Sequence, residues 1–205
     1  MEELLSICVG IGLAAACGFR VFVPLLIVSI AAVTGHLTLA PSFQWMGTYP
    51  ALITFSVATV LEVAGYYVPW VDHILDTAAT PAAVVAGTIV SASVFTDISP
   101  FLKWTLAAIA GGGAAGIIQT GTVLTRAAST ATTGGLANAL VATGELGLAV
   151  FTGVISIISL IWWLPLLAVA LVTAIGVVVF FAGRTLFRRL RPATAVPPQA
   201  ALKTP

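Results

Sequence analysis

The sequence predicts an all-helical membrane protein with about six transmembrane helices. Hydrophobic residues make up 60% of the 205-residue chain and charged residues only 7%. Soluble domains carry about 25% charged residues, so this composition excludes that class. Apolar runs also recur along the chain as far as Gly183, and a cleaved signal peptide would account for only one of them.

The first apolar stretch covers residues 4–33. It is long for one spanning helix, which needs about 20 residues. The segment Cys17-Gly18-Phe19-Arg20 and Pro24 interrupt it, so we expect a broken or re-entrant first helix. Residues 35–47 are predicted to form an exposed connector. The second stretch, residues 50–68, is the clearest span, because aromatic residues mark both of its ends.

Four further apolar stretches follow a polar connector predicted at residues 69–80. A turn is predicted at 96–103, and a polar loop at 125–135. The third to sixth stretches cover residues 81–95, 104–124, 136–163 and 164–187. Six crossings place both termini on one side of the membrane. Arginines that follow the sixth stretch place that side in the cytoplasm, because positively charged loops stay inside.

We therefore divide the chain into a membrane domain, residues 1–187, and a cytoplasmic tail, residues 188–205. The tail is basic at first and then rich in Pro and Ala, a composition typical of disordered segments. We expect the protein in a membrane, with the lipid bilayer as its partner. A homo-oligomer is an alternative to a monomer, and nothing indicates nucleic-acid binding.

The six stretches suggest two halves, residues 1–98 and 104–187. A duplicated unit of three spans must be inverted in the membrane, as in many transporters. Each half opens with a glycine-rich segment, then carries an arginine, Arg20 or Arg126, and later a glutamate, Glu62 or Glu145. The arginine-to-glutamate spacing differs between the halves. Close helix packing is the alternative explanation for the glycines.

These four charged residues are the main candidate site. A charge at the centre of a membrane helix costs about 2.5–3.5 kcal/mol, so it is usually buried and paired. Arg20 lies close to Pro24, where a broken helix would expose main-chain amides. A helix N-terminus and a guanidinium together suit an anion. The alternative is a structural ion pair between Arg20 and Glu62 or Glu145.

Two polar segments are secondary candidates. Residues 129–135, with Asn138, would either line a polar cavity or form a loop that caps the next helix. Asp72 and Asp76 lie four residues apart, so a helix would place both on one face, with His73 beside them. They would bind a cation or form an acidic connector at the interface. The chain contains none of the common catalytic motifs, and we expect no enzyme activity, metal or cofactor.

Two segments resemble a known family. They are residues 16–26, Ala-Cys-Gly-Phe-Arg-Val-Phe-Val-Pro-Leu-Leu, and residues 62–76, Glu-Val-Ala-Gly-Tyr-Tyr-Val-Pro-Trp-Val-Asp-His-Ile-Leu-Asp. Both resemble the DUF4126 family of bacterial integral membrane proteins, which has no established activity. The resemblance implies a bacterial inner membrane as the location. Residues 126–135, with Asn138 and Glu145, are similar to the family's second half. The resemblance covers about residues 5–180. It departs at Thr80-Pro81, where the family pattern implies Arg-Pro, which puts any charge role at that point in doubt.

The function predicted from these features is a small transporter or permease. Arg20, Glu62, Arg126, Glu145 and Asn138 would line its pathway. The solute would be small or amphipathic and anionic, with a proton as the coupling ion. The alternative is a membrane scaffold or assembly protein, in which the charges are sealed as ion pairs. A third hypothesis, an enzyme acting on lipid phosphate, would require Asp72, His73 and Asp76 to converge on a metal.

Overall fold

The computed structural model describes residues 2–96, 98–162 and 165–190, and every regular element in those ranges is a helix. A 3-10 helix, Pro41–Gly47, precedes α3, and a π-helical segment, Ala107–Gly112, joins α5 to α6. The α-helices are α1 (Glu2–Phe19), α2 (Phe22–Val33), α3 (Tyr49–Gly65), α4 (Pro69–Val94), α5 (Pro100–Leu106), α6 (Gly113–Thr133), α7 (Asn138–Trp162) and α8 (Pro165–Leu190). The all-helical class is confirmed.

Within the described residues, three segments are long and apolar enough to cross a membrane. They are Ile74–Val94, Pro100–Thr133 and Asn138–Ser159. A fourth crossing results if Pro41–Gly47 and Tyr49–Gly65, which meet at 67°, form one bent span. These helices indicate a membrane protein, but the predicted six crossings are not confirmed. One reason is that the first apolar stretch is divided between α1 and α2, and α2 has only 12 residues.

Helix α1 lies at the centre of the fold. It packs against α4, α6 and α7, and its side chains from Leu13 to Cys17 are almost fully buried. Small residues let neighbouring backbones approach it closely. A Cβ atom placed on Gly18 would lie 2.5 Å from the main-chain oxygen of Ala115 in α6. The glycines of this region therefore serve helix packing, as the alternative explanation predicted.

The predicted break in the first apolar stretch is present at Arg20 and Val21, between α1 and α2. Its position shows that Pro24 is not the cause. Pro24 lies in the first turn of α2, where a proline is tolerated because no amide donor is needed there. The amide of Arg20 still donates to the carbonyl of Ala16, at 3.1 Å, so α1 is satisfied up to the break.

Two predicted connectors are wrong, because they are largely helical, and a third is correct only in part. Residues 69–80 form the first half of α4, with Pro69 at its start and Pro81 inside it. The turn predicted at 96–103 is present before Pro100, where the described residues are not helical, and α5 begins at Pro100. The predicted loop at 125–135 continues α6 as far as Thr133. Hydroxyls in that segment donate to carbonyls four residues back, so its polar side chains do not end the helix.

The inverted repeat is not confirmed. Arg20 lies at a helix break, whereas Arg126 lies inside α6. Glu62 lies near the end of α3, and Glu145 lies near the start of α7. Asp97 and the tail beyond residue 190 lie outside the described residues.

Candidate functional site

Two arginines share the carboxylate of Glu145. Nη1 of Arg20 lies 3.2 Å from Oε2 of Glu145. Arg126 donates to the same carboxylate twice, from Nε to Oε1 at 3.0 Å and from Nη2 to Oε2. The three residues are only 2%, 3% and 5% exposed. A paired, bidentate guanidinium–carboxylate contact at this depth is among the stronger polar contacts in proteins.

The two arginines also reach other helices. Nη1 of Arg126 lies 3.5 Å from Oδ1 of Asp76 in α4. Nη2 of Arg20 donates to the main-chain oxygen of Ala142 in α7, at 2.8 Å. The cluster therefore connects the break after α1 to α4, α6 and α7. We call Arg20, Arg126, Glu145 and Asp76 the ion cluster.

Glu62 binds main-chain amides at the start of α2. Its Oε1 accepts from the amide of Val21 at 2.7 Å, and its Oε2 accepts from the amide of Phe22 at 2.9 Å. The first amides of a helix have no partner within the helix, and the helix dipole favours negative charge at that end. The anion position that the sequence predicted at this helix end is thus filled by a carboxylate of the chain itself.

Tyr66 is the residue that the sequence analysis missed. Its ring centroid lies 3.8 Å from Cζ of Arg20 and 4.1 Å from Cζ of Arg126. The ring is 5% exposed and packs against both guanidinium groups, an arrangement stabilised by cation–π attraction. The available signal was its position four residues after Glu62, which places both side chains on one face of a helix.

Polar contacts continue around the ion cluster. Nδ2 of Asn138 donates to Oγ1 of Thr130 at 3.1 Å, which connects the end of α6 to the start of α7. The hydroxyls of Tyr67 and Thr143 lie 2.9 Å apart and connect α7 to the segment after α3. The amide of Ala137 donates to the hydroxyl of Thr133. The contacts of Thr130 with Asn138 and of Thr133 with Ala137 therefore stabilise the turn between α6 and α7.

The cation site predicted at Asp72, His73 and Asp76 is not supported, because the carboxylate of Asp76 faces Arg126. The side chains of Asp72 and His73 lie outside the described residues. Among the side chains that are described, no group of three His, Cys, Asp or Glu residues is arranged to hold a metal ion.

Two surface hollows lie away from the ion cluster. One, of about 680 Å³, follows the outer face of α7 between Thr143 and Ile158. The other, of about 250 Å³, is lined by residues of α3 between Ser56 and Leu61. Neither is lined by Arg20, Arg126 or either glutamate. In this conformation the ion cluster is closed.

The fold and site together define a polytopic helical membrane protein with a buried arginine–carboxylate cluster. A sequence model of one protein family matches residues 7–184. This family is described as domain of unknown function DUF4126. This match covers most of the chain, so the protein belongs to the DUF4126 family, as the sequence resemblance predicted. No curated protein and no solved structure matches the chain.

Proposed function

We propose that this protein is a small membrane transporter for an anionic, amphipathic solute, with a proton as the coupling ion. The observation that carries the proposal is the carboxylate of Glu145, held between two buried guanidinium groups. Buried ion pairs contribute little net stability, because removing the charges from water is costly. Ionisable groups within membrane segments are therefore usually functional.

The chemistry follows from charge balance in the ion cluster. A phosphate or carboxylate of a solute presents the same acceptor geometry to Arg20 and Arg126 as Glu145 does. Protonation of Glu145 would remove the negative charge that faces the two guanidinium groups. A solute anion would then supply that charge. Glu145 is in this account the resident counter-ion, and the conformation described here is the closed state.

The helix break supports the same mechanism. Many transporters place a broken helix at the binding site, with its N-terminal amides toward an anion. Here the amides of Val21 and Phe22 bind Glu62, next to the arginine that pairs with Glu145. Both anion positions are therefore filled by internal carboxylates. This proposal assigns transport roles to Arg20, Glu62, Arg126 and Glu145 and no catalytic residue.

We propose in addition the six-crossing topology, with an inverted relation between residues 1–98 and 104–187 and with both termini in the cytoplasm of a bacterium. Beside the three candidate spans, six crossings require the bent pair Pro41–Gly47 with Tyr49–Gly65, α1 with α2 as one broken span, and α8. Reporter fusions at residues 35–47 and at the C-terminus test it. The C-terminal fusion should report the cytoplasm and the 35–47 fusion the opposite side.

The transport test uses purified protein in phosphatidylcholine–phosphatidylglycerol vesicles that contain a pH-sensitive dye. Inorganic phosphate and octyl phosphate are the probes, so that a free anion and an amphipathic one are compared. We expect octyl phosphate to drive proton movement in the wild type and not in empty vesicles. Arg126→Gln should abolish it, whereas Arg184→Gln, on the exposed face of α8, should not. Equal movement in wild type and Arg126→Gln would overturn the proposal.

The scaffold is the second candidate, and the closed ion cluster favours it. Arg20 and Arg126 are almost fully buried, and neither hollow reaches them. In a scaffold the cluster would only hold helix ends together. A folded wild-type protein that moves neither probe would support the scaffold over the transporter.

A further inference from the structure

The buried face of α7 carries a polar side chain at every seventh residue. Two turns of an α-helix take about seven residues, so these side chains lie on one face. All of them are at most 9% exposed, and Ser156 joins them on the same face. The set, which we call the polar track, consists of Asn138, Glu145, Thr152, Ser156 and Ser159.

The polar track is as long as the membrane is thick. It begins and ends with the candidate span Asn138–Ser159. At about 1.5 Å per residue, this span is about 30 Å long, the thickness of a hydrocarbon core. The opposite face of α7 is apolar and exposed, with Val150, Val154 and Ile158. The polar track is therefore long enough to extend from one interface to the other, and Glu145 lies within it.

Helix α6 extends the track on the same side of the ion cluster. Contacts of Thr130 with Asn138 and of Arg126 with Glu145 show that α6 and α7 run antiparallel. Gln119 precedes Arg126 by two turns, and Thr152 follows Glu145 by two turns. Both are therefore displaced by about 10 Å in the same direction along the span. Gln119 is 3% exposed, so polar groups are buried at this depth on both helices.

Thr152 provides the observation that points to a ligand. Its hydroxyl is buried and has no hydrogen-bond partner within the described part of the chain. A buried polar group without a partner costs about 1–3 kcal/mol, and a water molecule bound to the hydroxyl would remove that cost. The hydroxyls of Ser156 and Ser159 donate to the carbonyls of Thr152 and Ser156, so their oxygens remain available as acceptors.

We propose that the polar track is a transient water path that carries protons between the Ser159 end of α7 and Glu145. A hydronium ion at that end gives up a proton and becomes water, and the Glu145 carboxylate gains the proton and becomes a carboxylic acid. Arg20 and Arg126 face Glu145 directly. Tyr66 and Asp76 contact these guanidinium groups, and Glu62 interacts with Arg20 electrostatically. The proton role rests on the proposed transport function, whereas the water path does not.

Thiol labelling tests the water path without any solute. Thiols react as thiolates, which form where water reaches them. In a background of Cys8→Ala and Cys17→Ala, we introduce Ser156→Cys into the track and Val154→Cys on the exposed apolar face as control. We expect a membrane-impermeant methanethiosulfonate to label Ser156→Cys at least about tenfold faster. Equal rates, with both variants folded by size-exclusion chromatography, would overturn the water path.

The vesicle assay tests the proton role of the track. Thr152→Val removes the hydroxyl at nearly constant volume and should slow octyl-phosphate-driven proton movement at least tenfold. Thr152→Ser, which keeps the hydroxyl, should retain it. Thr120→Val is the matched control, because the Thr120 hydroxyl is exposed and bonded to its own helix. Unchanged movement in Thr152→Val would overturn the proton role. Absence of movement in the wild type would count against the transport function, while thiol labelling would still decide the water path.

Discussion

Glu62 of α3 accepts a 2.7 Å hydrogen bond from the main-chain amide of Val21, at the start of α2. This contact joins residues that lie far apart in the sequence, and it stabilises a helix end inside an apolar protein. The neighbouring amide of Phe22 binds the other oxygen of the same carboxylate. The break between α1 and α2 is therefore stabilised by the carboxylate of Glu62, which belongs to α3.

Glu62→Gln should destabilise the protein. The amide side chain keeps one acceptor but loses the charge and turns an NH₂ group toward the second main-chain donor. Hydrogen bonds to a charged group contribute about 1.5–3 kcal/mol, so we expect a loss of this size. Thermal unfolding in detergent measures it. Glu3→Gln, on the exposed side of α1, is the control, and an equal melting temperature in both variants would contradict the capping role.

The aromatic ring of Tyr66 should stabilise the folded protein. Its ring packs against both arginines at 3.8 Å and 4.1 Å, and such contacts are worth about 0.5–2 kcal/mol each. Tyr66→Phe keeps the ring and should change the unfolding temperature little. Tyr66→Leu removes it and should lower that temperature clearly. If both variants unfold at the same temperature, cation–π attraction does not stabilise the ion cluster.

Gly18→Ala should destabilise the packing of α1 on α6. The added methyl group would lie 2.5 Å from the main-chain oxygen of Ala115 and 2.6 Å from Cβ of Ile118, so the helices must separate. Overpacking of this kind costs about 1–3 kcal/mol. Gly144→Ala in α7 meets nothing within 4 Å and should be neutral or stabilising. A thermal melt of the two variants compares them, and a Gly18→Ala protein as stable as wild type would contradict the close approach.

The class of the protein could be predicted from composition. So could the bounds of α7, because its long apolar run follows a Thr- and Gly-rich segment and stops before Pro165. The break at Arg20 was also predicted, because Cys17-Gly18-Phe19-Arg20 interrupts an apolar stretch. The partners of the buried charged side chains could not be predicted. Nothing in the sequence distinguishes Glu62 from Glu145 as the partner of Arg20, since that choice depends on how distant helices pack.

Other parts of the fold could not be predicted for related reasons. Residues 69–80 are polar and precede a proline, and hydropathy alone indicates a connector there, yet Pro69 begins a helix that passes through Pro81. Tyr66 looked like an interfacial aromatic, because its position near a span end is typical of that role. Its contact with two arginines became visible only once α3, α6 and the break after α1 were placed together.

The most direct test of the account is the effect of Glu145→Gln on transport driven by a pH gradient. The assay is octyl phosphate uptake into vesicles, with the lumenal pH recorded, and Glu3→Gln is the control. Because glutamine cannot take up a proton, we predict that pH-dependent uptake falls at least about tenfold while the variant remains folded. Undiminished pH-dependent uptake by folded Glu145→Gln protein would contradict the account.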